Sequence, residues 1–82
     1  MRVLGVDPGL TRCGVGVVDG MPGRRAALVA VSVLRTGSEL PTPERLLLLY
    51  RELGEWVQRY RPDAIAVERV FGRDEPRAKL KA

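Results

Sequence analysis

The sequence predicts a small α/β domain, in which a three-stranded antiparallel meander is followed by a crossover helix and a fourth, parallel strand. Three observations support this fold. Residues 1–34 hold three apolar runs joined by short turns, and short connections favour antiparallel neighbours. Residues 42–61 change to the spacing of an amphipathic helix. A final apolar run follows, and strand–helix–strand connections are parallel right-handed crossovers.

The three strands of the meander are predicted from apolar runs and the turns that end them. Val3 to Asp7 is a compact apolar run that closes on a carboxylate, and Pro8-Gly9 forms the turn after it. Arg12 to Asp19 alternates small and branched residues as a second strand, and Ala26 to Leu34 forms the third.

The helix is predicted to begin at Thr42 as the N-cap, with Pro43 in the first helical position and Glu44 placing negative charge in the first turn. Its apolar residues recur at helical spacing: Leu46, Leu49, Leu53, Val57 and Tyr60. The helix is expected to end near Arg61, because Pro62 disfavours helical backbone in the residue before it.

Residues 63–71 form the fourth strand, an apolar run interrupted by charge. Residues 72–82 show no apolar periodicity and are expected to form a poorly ordered basic tail. The chain is therefore divided into one partial domain, residues 1–71, and a tail, residues 72–82.

Composition excludes several classes of protein. No apolar run approaches the roughly 20 residues of a membrane span, so a cytoplasmic protein is expected. Cys13 is the only cysteine and the chain has no histidine, which argues for a buried thiol and against a Cys/His metal site. Residues 1–68 hold nine arginines and eight acids, and residues 69–82 hold five basic residues and two acids. Most of the excess positive charge is therefore in the tail. These basic residues could contact nucleic-acid phosphates or could simply be solvated, and the composition fits both interpretations.

Asp7 requires a partner, because an aspartate disfavours strands and is costly to bury alone. Side chains alternate between the faces of a strand, so Asp7 shares a face with Val3 and Gly5. By the same alternation, Glu68 shares a face with the small residues of the fourth strand. If the first and fourth strands are parallel neighbours, the two carboxylates meet at their carboxyl ends, where open α/β sheets place their sites.

Two adjacent carboxylates repel unless a proton or a cation lies between them. Oxygen ligands alone suit a hard cation such as Mg²⁺ or Mn²⁺, and such ions support phosphodiester hydrolysis. The alternative is structural: Asp7 caps its turn, and Glu68 pairs with Arg69 or Arg12 at the edge of the sheet. Spacing alone does not decide between these two interpretations.

Two segments resemble a known family. Residues 1–14, Met-Arg-Val-Leu-Gly-Val-Asp-Pro-Gly-Leu-Thr-Arg-Cys-Gly, are similar to the amino terminus of the bacterial Holliday-junction resolvases, the RuvC family. Residues 64–71, Ala-Ile-Ala-Val-Glu-Arg-Val-Phe, are similar to that family's second motif. The strands and helix between them fit as well, so the resemblance covers residues 1–71.

This resemblance implies a ribonuclease H-like fold, a homodimer, and Mg²⁺-dependent nicking of four-way DNA junctions alongside branch-migration helicase proteins. It implies that Asp7 and Glu68 are two of four metal-binding catalytic carboxylates. It also implies that Phe71 contacts junction bases, although a core or edge aromatic is the structural alternative. Arg69 and Arg73, on either side of Phe71, are predicted to contact the DNA.

The sequence departs from the family pattern after residue 71. The family continues with further strands and helices, and with a last helix carrying two aspartates one turn apart. Asp74 and Glu75 lack that helical context and are not expected to replace them. The expectation is a truncated resolvase whose 82 residues are inactive alone.

Two alternative functions remain. One is a non-catalytic fragment that dimerises or binds DNA weakly. The other is an actin-like or sugar-kinase phosphate-binding domain, which the short motif Asp7-Pro8-Gly9-Leu10-Thr11 resembles only weakly because such proteins need far longer chains.

Overall fold

The structure, a computed structural model, describes residues 1–68. Its elements follow the order β1 (Arg2–Asp7), β2 (Arg12–Asp19), β3 (Ala27–Arg35), α1 (Thr42–Tyr60) and β4 (Ala64–Val67). The described strands form one sheet in the order β3-β2-β1-β4. β2 is antiparallel to both β1 and β3, whereas β4 is parallel to β1. The predicted meander, crossover helix and parallel fourth strand are confirmed.

The helix covers one face of the sheet. The buried core comes from the three strands of the meander and from α1: Leu4, Cys13, Val15, Val17, Leu34 and Leu49. Further residues of α1 pack against it and are partly buried: Leu53, Trp56, Val57 and Tyr60. The thiol of Cys13 is buried and free, as its place in a strand predicts. Within residues 1–68 the opposite face is open: Gly5 is paired to Gly16 across β1 and β2, and β3 adds the exposed Val31 and Val33.

The start of α1 differs from the prediction. Pro41, in extended backbone, is the N-cap, and Thr42 is already helical. The backbone N–H groups of Glu44 and Arg45 both donate to the Pro41 carbonyl oxygen, at 3.0 and 3.1 Å. The cap makes no side-chain hydrogen bond. Pro43 fits the first turn because that turn's N–H groups have no intrahelical acceptor. The prediction that Thr42 caps the helix is therefore wrong by one residue.

The carboxyl end of α1 is fixed by Arg61 in left-handed backbone, with φ 48°. Its N–H donates to the Val57 carbonyl oxygen at 2.8 Å. This turn ends the helix one residue before Pro62 and directs the chain back along the sheet into β4. The predicted end of the helix is confirmed.

Arg2 joins the chain segments at the end of the sheet opposite the Asp7 turn. Its guanidinium donates to both carboxylate oxygens of Asp19, at 2.7 and 2.9 Å, and to the carbonyl oxygen of Tyr60 at 3.0 Å. Its backbone N–H donates to Asp63 Oδ2, and the Asp63 N–H donates back to the Arg2 carbonyl oxygen, both at 2.7 Å. The hydrogen bond from Arg2 holds the pKa of Asp19 below its usual range. These contacts fix where β4 starts beside β1.

Within residues 1–68, no helix is both long enough and apolar enough to cross a membrane.

Leu4 is the side chain on which this small core depends most. It is 1% exposed, at the centre of β1 and against the helix. We expect Leu4→Ala to lower the free energy of unfolding by about 2–5 kcal/mol, because it removes buried methyl groups and leaves a cavity. Urea unfolding followed by circular dichroism measures the change. Leu46→Ala is the matched control, since Leu46 is 55% exposed; an equal loss in both variants would contradict this account of the core.

Candidate functional site

The parallel pairing of β1 with β4 brings two carboxylates to one edge of the sheet. Val6 lies opposite Val67 in the register. The Glu68 N–H donates to the Val6 carbonyl oxygen at 3.0 Å, which extends the ladder by one residue. Asp7 and Glu68 are therefore neighbours at the carboxyl ends of adjacent parallel strands, and both are exposed. The structure brings together the pair that face alternation predicts.

Asp7 affects the ionisation of its neighbour Glu68. A hydrogen bond with Asp7 is the main reason that the pKa of Glu68 is raised above its usual range; the negative charge of Asp7 and slight desolvation add to it. The direction follows from the repulsion of two neighbouring negative charges, which favours the protonated form of Glu68. A divalent cation would occupy the same space and relieve the same repulsion.

The turn after Asp7 is tight. Residues 8–11 join β1 to β2, and a Cβ atom placed on Gly9 would collide with the carbonyl oxygen of Arg12. Glycine is thus required here because the backbone approaches closely. A positive φ angle is not the reason, since the positive φ angles within residues 1–68 are at Gly23 and Arg61. On β2, Gly14 lies opposite Asp7. An added Cβ there would be 3.6 Å from Asp7 Cβ, so glycine leaves the carboxylate uncrowded on that side.

Two contacts of the structural alternative are absent within residues 1–68. Arg2 with Asp19 is the only salt bridge within residues 1–68, so Glu68 is not paired with Arg12. Across the same residues, Asp7 makes no side-chain hydrogen bond to its turn. Arg69 lies outside the described residues, as do the predicted DNA contacts Phe71 and Arg73.

The donor set suits a hard cation but is incomplete. Carboxylate oxygens are the ligands that Mg²⁺ and Mn²⁺ prefer, and Asp7 and Glu68 supply them from rigid strand ends. Over the described part of the chain, however, no group of three or more acidic, histidine or cysteine side chains comes together. The residues present would hold such an ion from one side only.

A second polar cluster, formed by Arg45, Thr36 and Thr11, lies next to the turn of residues 8–11. It was not predicted from the sequence. Arg45 is 9% exposed. Its Nε donates to Thr36 Oγ1 at 2.9 Å, and its Nη2 donates to Thr11 Oγ1 at 2.7 Å. The Thr36 hydroxyl donates in turn to the Leu10 carbonyl oxygen at 2.6 Å. The cluster attaches the first turn of α1 to the turn that carries Asp7.

One signal in the sequence could have revealed the cluster. Arg45 precedes Leu49 by four residues, so it occupies the apolar stripe of an amphipathic helix. A cation in that position is buried when the helix packs on the sheet, so its N–H groups need hydrogen-bond acceptors from neighbouring residues.

The chain matches a family model described as crossover junction endodeoxyribonuclease RuvC over residues 3–82. It is 59% identical over 75 residues to a crossover junction endodeoxyribonuclease RuvC of Nocardioides sp., covering 92% of this chain and 42% of that relative. It is 58% identical over 80 residues to the protein of the same name from Parafrankia sp., covering 98% of this chain and 45% of the relative.

A solved structure titled T. thermophilus RuvC in complex with Holliday junction substrate is also similar. The TM-score is 0.80 at 36% sequence identity, over 96% of this chain and 51% of that one. The chain thus spans about half the length of the relatives that it matches. The ribonuclease H-like fold implied by the sequence resemblance is shown by this likeness.

The contact between the carboxylates predicts how stability depends on pH. Because the pKa of Glu68 is raised in the folded chain, its stabilising contribution is complete below the ordinary glutamate pKa and is lost as the pH rises through the raised value. Asp7→Asn removes the repelling charge. We expect Asp7→Asn to lower the pKa of Glu68 and to gain stability relative to wild type as the pH rises from acid to neutral.

Carboxyl ¹³C NMR titration of Glu68, with urea unfolding at acid and neutral pH, measures both effects. Glu55→Gln is the control, because it neutralises an exposed acid on α1 away from the pair. The same Glu68 titration in wild type and Asp7→Asn would show that the carboxylates do not interact.

Proposed function

The chain belongs to the RuvC family of crossover junction endodeoxyribonucleases, and we propose that it carries the first two carboxylates of a metal-dependent nuclease site for four-way DNA junctions. The contact between Asp7 and Glu68 at the carboxyl ends of β1 and β4 carries this proposal. Within residues 1–68 no cation pairs with either acid, and metal-dependent phosphodiester cleavage accounts for two carboxylates placed side by side.

Mg²⁺ is the proposed cofactor, with Mn²⁺ as a substitute, and Asp7 and Glu68 are its proposed ligands. When bound, such an ion polarises a phosphoryl oxygen and lowers the pKa of a water molecule. The chain's own contribution is positional. The parallel ladder holds Glu68 beside Asp7, and the close backbone approach at Gly9 keeps the turn after Asp7 tight.

The proposed substrate is four-way junction DNA. The similar T. thermophilus protein has been solved with a Holliday junction substrate, which supports the same class of substrate here. Arg69, Phe71 and Arg73 stay proposed DNA contacts in the basic stretch after Glu68. A homodimer, branch-migration helicase partners, a cytoplasmic location and a domain limit at residue 71 belong to the same proposal. The family match favours it over an actin-like phosphate-binding domain.

Two carboxylates leave most coordination positions of a hard cation to water. We propose that these 82 residues bind junction DNA without cutting it. The non-catalytic alternative thus applies to this chain by itself. Within residues 1–68 no third acid joins Asp7 and Glu68, which favours this proposal.

Metal binding and nicking test the proposal together. We expect Mn²⁺ to bind weakly, on the order of 1 mM, as measured by electron paramagnetic resonance. Asp7→Asn and Glu68→Gln should each weaken it further, and Glu55→Gln should not. A four-way junction should be shifted in a gel but not nicked in Mg²⁺.

The outcomes are separable. Robust nicking that both site substitutions abolish would confirm the site and refute the expected inactivity. Nicking or Mn²⁺ binding that survives both substitutions would refute the site itself.

A further inference from the structure

Two exposed arginines lie opposite each other at the end of the sheet that carries Asp7. Arg12 begins β2 and Arg35 ends β3, and they are direct partners in the antiparallel register. Both are exposed, and neither forms a salt bridge within residues 1–68. Like charges directly opposite each other on a sheet are destabilising. The fold therefore keeps an unfavourable pair at this position.

Both arginines are on the same face of the sheet as Asp7. Cys13, Val15 and Val17 face the helix, so the alternate residues of β2, Arg12 and Gly14, face the open side. Gly14 lies opposite Asp7 in the register. Arg12 is thus a diagonal neighbour of Asp7, separated from it by the side-chain-free position of Gly14. A strand of DNA lying over the carboxylates would pass next to the arginine pair.

The backbone under the two arginines is held by the buried cluster. Thr11 precedes Arg12 and Thr36 follows Arg35, and the Thr36 N–H donates to the Thr11 carbonyl oxygen at 3.2 Å. Both hydroxyls accept hydrogen bonds from the Arg45 guanidinium. The backbone positions of the two arginines are consequently held relative to each other.

Arg45 also adds charge to this end of the sheet. No acid within residues 1–68 lies at salt-bridge distance from it, and neutral hydroxyls compensate a buried cation only in part. It lies in the first turn of α1, where the positive end of the helix dipole adds to its field. Three guanidinium groups and a helix start thus make one positive region beside two carboxylates.

We propose that Arg12 and Arg35 bind a backbone phosphate of the DNA strand that crosses the open face beside Asp7. Arg45 of α1 holds the backbone next to both arginines through its hydrogen bonds to Thr11 and Thr36. This inference rests on the proposed function. A phosphate between the two guanidinium groups removes their mutual repulsion and accepts hydrogen bonds from both. The repulsion that costs stability in the free chain thereby strengthens binding.

Single substitutions separate this role from a structural one. Arg12→Gln and Arg35→Gln should each weaken binding of a synthetic four-way junction about three- to tenfold and reduce the slope of log affinity against log salt by about 1. Fluorescence anisotropy in Mg²⁺-free buffer measures both quantities. Each variant should keep or raise the thermal midpoint of the chain, because it removes a like-charge contact; a residue needed for folding would lower that midpoint. Arg12→Lys should preserve the salt slope.

Arg24→Gln is the matched control, since it removes the same charge from the exposed turn between β2 and β3 at the other end of the sheet. If wild type binds the junction and all three glutamine variants lose the same affinity and slope, the site is refuted and only net charge matters. Unchanged binding in Arg12→Gln and Arg35→Gln refutes it as well. If wild type fails to bind the junction, the proposed function itself is overturned, and this inference with it.

Discussion

The parallel ladder between β1 and β4 is the constraint on which the rest of this structure depends. It converts two carboxylates 61 positions apart in the sequence into side-chain neighbours. A shift of one residue would turn Glu68 to the helix face and leave Asp7 alone. The register is secured at the far end of the strands, where Arg2 and Asp63 exchange backbone and carboxylate hydrogen bonds. The site thus depends on contacts that lie a full strand length away from it.

The sequence was sufficient for the elements and for the pairing of Asp7 with Glu68. Period-two runs, short turns and a helical stripe each have a local cause, and the right-handed crossover rule leaves few ways to arrange them. Face alternation then placed both acids on the small-residue side. None of these steps required knowledge of a distant contact.

Two of the three features that the sequence did not predict arise from contacts between distant segments, and the third, the helix cap, is local. Pro41 caps the helix instead of Thr42 because the chain enters α1 in extended backbone at the proline. The burial of Arg45 was not predicted, and its acceptors lie 9 and 34 positions away. The opposition of Arg12 and Arg35 depends on the register of β2 with β3, which turn signals alone do not fix. Propensity cannot report such contacts, because each needs the folded backbone to exist first.

The buried Arg45 cluster also bears on how this protein can change over generations. The hydroxyls of Thr11 and Thr36 accept hydrogen bonds from two of the N–H groups of Arg45, so loss of either threonine removes an acceptor from a nearly buried guanidinium. Effects of substitution at the three positions are therefore not additive. We therefore expect substitutions at Thr11, Thr36 and Arg45 to be correlated during evolution, because a change at one position alters the effect of a change at the others.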